Sequence, residues 1–336
     1  MKNKNIIFTA PGIAEVIEKD MPTPGAGEVL IRMLRTTISS GTEKANLIGD
    51  ANVDSSHAPK VSFPRQAGYS ASGIVEAIGD GVTSVQVGDR VMAGWTKHAQ
   101  YWVRPEKNVY RLPDTVDFDE AALVHIATFP MAALRKCRVE IGESAMVMGL
   151  GVLGLIGVQL LRLAGAVPVI AVDPVKSKRE QALALGADYA LDPFEEDFAA
   201  RVKELTGGGV KAVLEVTGLG SGLDMALDCV AKFGRVALLG CTRNSDFSID
   251  YYRKVHGRGV TLIGAHTMAR PKQESSNGWW TERDDTNALL ELIRHGRLNL
   301  GQLIEEVHSP MDAPAIYARL AAEKFFPVVQ FDWTRL

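Results

Sequence analysis

The stretch MVMGLGVLGLIG, residues 146–157, limits what this chain can fold into more than any other. An apolar run that reads as a strand leads into Gly149, Gly151 and Gly154. These open a helical run, VLGLIGVQLLRLAG, that stops at Gly165. G-x-G-x-x-G between a strand and a helix has a physical logic. The first glycine makes a tight turn, the second lets backbone amides approach a pyrophosphate, and the third lets the helix pack close on the strand. The amides of Val152 and Leu153 belong to the same helix N-terminus, which carries unpaired N–H groups and the positive end of the helix dipole. Asp173 ends the next strand candidate, VPVIAVD, about nineteen residues after Gly154, the spacing of an acid that bonds a ribose hydroxyl. A carboxylate accepts from a 2′-hydroxyl and repels a 2′-phosphate, and no arginine directly follows in DPVKSKRE. NAD is the expected cofactor and NADP the less favoured, with Lys176, Lys178 and Arg179 near enough to weaken the preference. The bland alternative is a tight turn with Asp173 as a helix cap. Glycine pattern, strand–helix context and acid spacing together weigh against it.

Around this loop, strands alternate with helices. SKREQALALGA reads as a helix stopped by Gly186, and ADYALDP, VKAVLEVTG and GRVALLG read as further strands. Such alternation calls for a parallel sheet with helices on both faces. The first 115 residues or so read instead as short strands with Gly, Pro and Asp at the breaks: 28–34, 73–78 and 90–93, with a hairpin signal at VQVGDRV, 85–91. Residues 117–135 read as a helix. The tail offers two helical runs, TNALLELIRHG and APAIYARLAAEK, and a last strand, FPVVQFDW. The expected organisation is a doubly wound middle domain, with the two chain ends together in a second domain.

Composition narrows the partners. The chain has 336 residues, a net charge of −3 and no basic stripe, which speaks against nucleic acid. No long apolar core follows the first lysines, and glycines, Gln159 and Arg162 break the longest apolar stretch, so a leader or a membrane span is not expected. Three scattered cysteines, Cys137, Cys229 and Cys241, fit a reducing compartment, and a cytoplasmic protein acting on a small molecule follows by default.

Several stretches (GEVLIRM, SSGTE, GYSASGIVEAIGDGV, VGDRV, LGVLGLIGVQL, LGADYALDP, LEVTG and GRVALLG) resemble the medium-chain dehydrogenase/reductase superfamily over essentially the whole chain. The resemblance implies an α/β chain of two domains. One is a GroES-like, β-rich catalytic domain over 1–120 and 266–336; the other is a Rossmann domain over 121–265. It implies hydride transfer with a nicotinamide cofactor in an interdomain cleft, and a homodimer or homotetramer. It adds Lys178, Thr217 and Gly240 to the cofactor contacts. The SGTE and GYSASG variants resemble a group fused in some proteins to sugar-type oxidoreductases.

Zinc-dependent members of the superfamily hold a catalytic metal with a Cys, a His and a third Cys or acid. Here those positions read Ser40, Tyr69 and His125, a poor donor set for zinc, and no cysteine precedes Cys137 to build a structural zinc lobe. No metal is expected. Without one, a general base or hydrogen-bonding dyad must handle the proton at the alcohol oxygen. Ser40, Thr42, Tyr69 and His125 are the candidates, with His98 in KHAQYW as another. His125 also reads as a buried core histidine, Tyr69 as a plain hydrogen-bonding phenol, and Ser40 as a turn residue. Glu43 reads as either a substrate contact or a structural acid near a helix start. In HTMARPKQESSNGWW, 266–280, His266, Arg270, Trp279 and Trp280 are substrate candidates, the tryptophans equally a subunit contact or a core cover. The expected function is zinc-independent, NAD(H)-dependent interconversion of a secondary alcohol, on a sugar or polyol, with a ketone. Two alternatives stay open: a zinc-free quinone- or enoyl-type C=C reductase using NAD(P)H, and a protein that binds NAD(H) without turnover.

Overall fold

A computed structural model of the chain describes residues 2–50, 62–241 and 247–336. The chain divides into two compact units, one of residues 1–126 and 286–336, the other of 127–285. The expected boundaries lay at 120 and 266, so the main difference is the segment 266–285, which belongs with the middle unit.

In the first unit, β1 (Lys2–Ala10) and β2 (Ile13–Asp20) form a hairpin, extended by β4 (Arg65–Gln66) into a three-stranded sheet of order β2-β1-β4. A second, seven-stranded sheet is built on β3 (Glu28–Thr37) and β5 (Ser70–Ile78), followed by β6 (Arg90–Gly94), β7 (Tyr101–Pro105) and β8 (Val109–Arg111). Between β3 and β4 lies α1 (Ser40–Ile48), and α2 (Phe118–Cys137) follows β8. From the far end of the chain come β15 (Glu306–His308), α9 (Ala313–Ala322) and β16 (Val329–Asp332). β16 pairs antiparallel with β3, so the chain ends do share one sheet. Alternating apolar positions face a core of Ile6, Phe8, Ile31, Met33, Tyr317 and Phe331. Each such side chain is worth roughly 1.5–3 kcal/mol when buried.

The expected hairpin at 85–91 has its Gly88–Asp89 turn but no strand before it. Gly88 N–H bonds the Val75 carbonyl at 2.9 Å and Val75 N–H bonds that of Asp89 at 3.0 Å. The turn therefore docks on β5, and β5, not 85–87, is the partner of β6.

The second unit contains β9 (Ala145–Met148), α3 (Val152–Leu163), β10 (Val169–Val172), α4 (Lys176–Ala184), β11 (Tyr189–Leu191), α5 (Phe198–Thr206), β12 (Val210–Glu215), α6 (Gly220–Cys229), β13 (Val230–Leu238), α7 (Tyr251–Lys254) and β14 (Thr261–Gly264). α8 (Glu282–Arg294) begins at its end. The six strands are parallel, in the order β11-β10-β9-β12-β13-β14. The strand order reverses between β9 and β12, and a ligand crevice opens at the carboxyl ends of strands at such a switch point. Among the described residues no helix is long and apolar enough to cross a membrane.

Candidate functional site

The switch point carries the glycine loop. Gly149 sits at φ +98°, a left-handed conformation costly for other residues, and starts the turn out of β9. Gly154 packs α3 against that turn so closely that a Cβ would stand 1.9 Å from the Gly149 carbonyl oxygen. Gly151 is the N-cap of α3 and offers no side chain to its first amides, and a Cβ there would meet nothing within 4 Å. The first-turn N–H groups, those of Val152 and Leu153 included, thus lie at an open helix start.

Asp173, at the end of β10, ties the loops together: its carboxylate accepts the Leu150 amide and the Val175 amide, each at 2.8 Å. Arg179 is taken up by the Asp173 and Pro174 carbonyls and by Asp192, at 2.8–2.9 Å, while Lys178 stands half-exposed one residue away. At the end of β12, buried Glu215 accepts both the amide (2.8 Å) and the hydroxyl of Thr217, and burial raises the pKa of its carboxyl. Thr217 packs against Gly149, where a Cβ would lie 3.0 Å from its methyl carbon. Gly240, after β13, fits so tightly beside Gly218 that a Cβ would lie 2.2 Å from the Gly218 nitrogen. Gly149, Thr217 and Gly240 therefore converge on one rim of the sheet.

In the first unit the polar candidates gather around Tyr69, half-buried at the entry to β5. Its hydroxyl donates a short hydrogen bond to the hydroxyl of Ser39, the N-cap of α1. Burial pushes the phenol pKa up to about 12, against an opposing pull from hydrogen bonds to Ser39 and Thr42. Ser40, half-buried, opens α1, and Thr42 is exposed in its first turn. His125, on α2, is 1% exposed and meets Tyr69 edge-to-face with ring centroids 5.7 Å apart. Trp95, held at φ +57° after β6, makes the same contact with His125 at 4.8 Å and lies 6.2 Å from Tyr69. A Cβ at Gly94 would come within 2.6 Å of His125 Nδ1, so a glycine is needed to seat the imidazole.

His98 differs from the others. It is fully buried, with Nδ1 2.7 Å from Thr36 Oγ1 and Nε2 3.1 Å from Glu43. That geometry makes it an internal contact rather than a group that meets substrate. Glu43 is likewise buried, 2.9 Å from the Ser39 amide that it accepts, and acts as an acid closing the start of its own helix.

Residues 25–114 match the family described as Alcohol dehydrogenase GroES-like domain, and residues 152–279 that described as Zinc-binding dehydrogenase. The chain is 30% identical to the L-threonine 3-dehydrogenase of Pyrococcus horikoshii, over 91% of this chain and 92% of that protein. It belongs to the medium-chain dehydrogenase/reductase superfamily. The protein is therefore an oxidoreductase. It is also 27% identical to the D-guloside 3-dehydrogenase of Escherichia coli K12, over 94% of this chain and 95% of that one. The fold of an alcohol dehydrogenase from Escherichia coli CFT073, solved with cofactor NADH, superposes with a TM-score of 0.84 at 19% identity, covering 99% of both chains.

Zinc is common in this superfamily, and the fit of the residues here can be tested directly. Among the described residues, no three His, Cys, Asp or Glu side chains stand close enough together to hold a metal ion. At the positions that the resemblance pairs with metal ligands, Tyr69 is a neutral phenol bonded to Ser39, Ser40 is a hydroxyl, and His125 is the one imidazole. Zinc needs thiolate, imidazole or carboxylate, usually three in a catalytic site, and these residues do not fit it.

The segment 266–280 finds its partners in its own unit. Arg135 stacks 3.4 Å over the Trp280 ring, and Lys136 lies 4.9 Å from Trp279. Arg135 also pairs with Asp285 at 2.6 Å, and Arg270 donates to the Thr128 carbonyl at 3.2 Å. Two cations of α2 thus lie against the tryptophans, Trp280 half-buried and Trp279 exposed, and the segment belongs to the middle unit. His266 is exposed and accepts the Met268 amide at 3.2 Å. Sequence reasoning missed Ser39, whose neighbour Ser40 drew attention by its alignment with the family cysteine. It also missed Trp95, visible as an aromatic residue directly after a strand, and Tyr317, which no local signal connects to α1.

Proposed function

We propose that the protein is a zinc-independent, NAD(H)-dependent dehydrogenase that interconverts a secondary alcohol, carried on a sugar or polyol, with a ketone. The observation that carries the reading is Tyr69: a neutral, Ser39-bonded phenol beside His125, where related enzymes place metal ligands. The names of the threonine and guloside enzymes place the oxidised hydroxyl at carbon 3 of each substrate, a secondary carbon in both.

The amides of Gly151, Val152, Leu153 and Gly154 would hold the pyrophosphate of the dinucleotide, on the turn that Gly149 makes while its own amide bonds the Val172 carbonyl at 2.8 Å. Asp173 would accept from a ribose hydroxyl, Lys178 would stand beside it, and Thr217 and Gly240 would border the nicotinamide end. The bound nicotinamide supplies the hydride acceptor or donor. Tyr69 orients the substrate oxygen, since a hydroxyl both donates and accepts. Its raised pKa keeps it from ionising, so His125 takes the proton released when the alcohol is oxidised. Ser39 and Thr42 hold the phenol in place.

The test is a screen of polyols and sugars with NAD, run beside enones with NADH and NADPH, on protein assayed for zinc. Turnover of an alcohol with NAD, unaffected by chelators and without stoichiometric zinc, is the expected result. One tightly held zinc per chain would overturn the metal-free reading. Turnover of enones alone would replace the dehydrogenase with a C=C reductase.

A further inference from the structure

Behind the Tyr69 hydroxyl lies a buried polar chain that reaches into the core of the first unit. Glu43 is 2% exposed and satisfied on every side. Its Oε1 accepts the Ser39 amide at 2.9 Å. Its Oε2 accepts from His98 Nε2–H at 3.1 Å and from the Tyr317 hydroxyl at 2.5 Å. His98 Nδ1 pairs with the Thr36 hydroxyl at 2.7 Å, and Trp333 Nε1–H donates to that same oxygen at 2.9 Å. Residues from β3, α1, the segment after β6, α9 and the C-terminal end of the chain thus converge on one carboxylate. The titratable groups facing it are His98 and Lys97 from the segment after β6, Tyr317 from α9 and Tyr69 from the entry to β5.

A buried carboxylate is costly to desolvate, and well-packed apolar residues serve stability at least as well. A position that keeps the charge therefore calls for a use of it. Ser39 shows what the use is. Its amide is clamped by Glu43 and its hydroxyl accepts the Tyr69 hydrogen bond, so one residue joins the buried acid to the half-buried phenol. Burial and the nearby negative charge both oppose ionisation of Tyr69.

We propose that Glu43 is the positioning residue of the Tyr69 site: by holding the Ser39 amide it fixes the Ser39 hydroxyl on which Tyr69 rests. The inference rests on the assignment of Tyr69 to the substrate oxygen. Glu43, read from the sequence as either a substrate contact or a structural acid, acts through Tyr69, and His98 is one of the groups that hold Glu43.

The test uses the full chain labelled with ¹³C at tyrosine Cζ, the Tyr69 resonance being identified by its loss in Tyr69→Phe. In the wild type that resonance keeps its neutral-phenol position from about pH 8 to about pH 11. In Glu43→Gln it moves and titrates at lower pH, and kcat falls roughly tenfold or more with the KM for NAD unchanged. Glu43→Asp, which keeps the charge, restores the wild-type titration. If Glu43→Gln does not fold, Ser39→Ala serves: its Tyr69 resonance must shift and its kcat must fall in the same way. A folded Glu43→Gln or Ser39→Ala protein with an unaltered Tyr69 resonance overturns the proposal. The titration needs no substrate, so a shifted Tyr69 in a protein that oxidises no alcohol would sink the dehydrogenase reading alone.

Discussion

The glycine loop of the middle unit and the Tyr69 cluster of the other are built by opposite means. The loop is backbone: Gly149, Gly151 and Gly154 lie within six residues and work by the space they leave and the amides they expose. The cluster is side chain: Tyr317 and Glu43 are 274 residues apart, yet their oxygens are 2.5 Å from each other. The first kind of site is written in a short pattern, braced from outside it by Asp173. The second is distributed, and each member is replaceable only if its partners move with it.

Substitutions can break this contrast from either side. Gly154→Val should have the largest effect, because its branch would drive α3 off the Gly149 carbonyl. We expect a loss of about 3 kcal/mol or more, the upper range for overpacking, with NAD binding lost alongside; denaturant unfolding and fluorescence titration with NADH would measure both, and an unchanged midpoint would refute the close-packing account. His125→Ala should lower kcat by about 10²–10⁴-fold, the usual span for a general base, while leaving NAD binding intact; a variant within twofold of wild type would remove His125 from the chemistry. Asp173→Ala should raise the KM for NAD by roughly tenfold, about 1.4 kcal/mol, and narrow the preference over NADP; steady-state kinetics with both cofactors decide it.

The smallest effect concerns pH. The Tyr69 pKa of about 12 lies above the ordinary value of 10.0, so the folded state keeps a proton that the unfolded state gives up. The stabilisation is fully present below pH 10 and fades as pH rises toward 12, by about 1 kcal/mol at pH 11. Melting temperatures between those limits should fall less steeply for Tyr69→Phe than for wild type; parallel curves would contradict the assignment.

The same contrast explains what could be read in advance. The parallel sheet, the glycine loop and the Asp173 spacing follow from local periodicity and from chain geometry within one βαβ unit, and the structure has them where the residues say. The strand FPVVQFDW was legible as a strand, but its pairing with β3, residues 28–37, carries no local signal. The 85–87 arm of the hairpin was misread because its turn docks on β5 through backbone bonds that carry no side-chain signal. The segment 266–285 falls in the middle unit, where its contacts with α2, Arg135 over Trp280 and Lys136 near Trp279, join residues far apart in the chain. His98 has the same composition-level appearance as His125. Only packing distinguishes a histidine locked between Thr36 and Glu43 from one seated edge-on to Tyr69.

Asp173 carries one consequence for how such a protein can change. Its two oxygens hold the amides of Leu150 and Val175, so the residue that would select the cofactor also braces the turn that would receive it. A lineage drifting toward a phosphorylated cofactor could not simply discard the acid, because the loop would slacken in the same step. Asparagine or serine, which keep an oxygen acceptor while shedding the charge, are the passable intermediates; alanine and the bulky cations are not. Selectivity and rigidity are inherited here as a single trait.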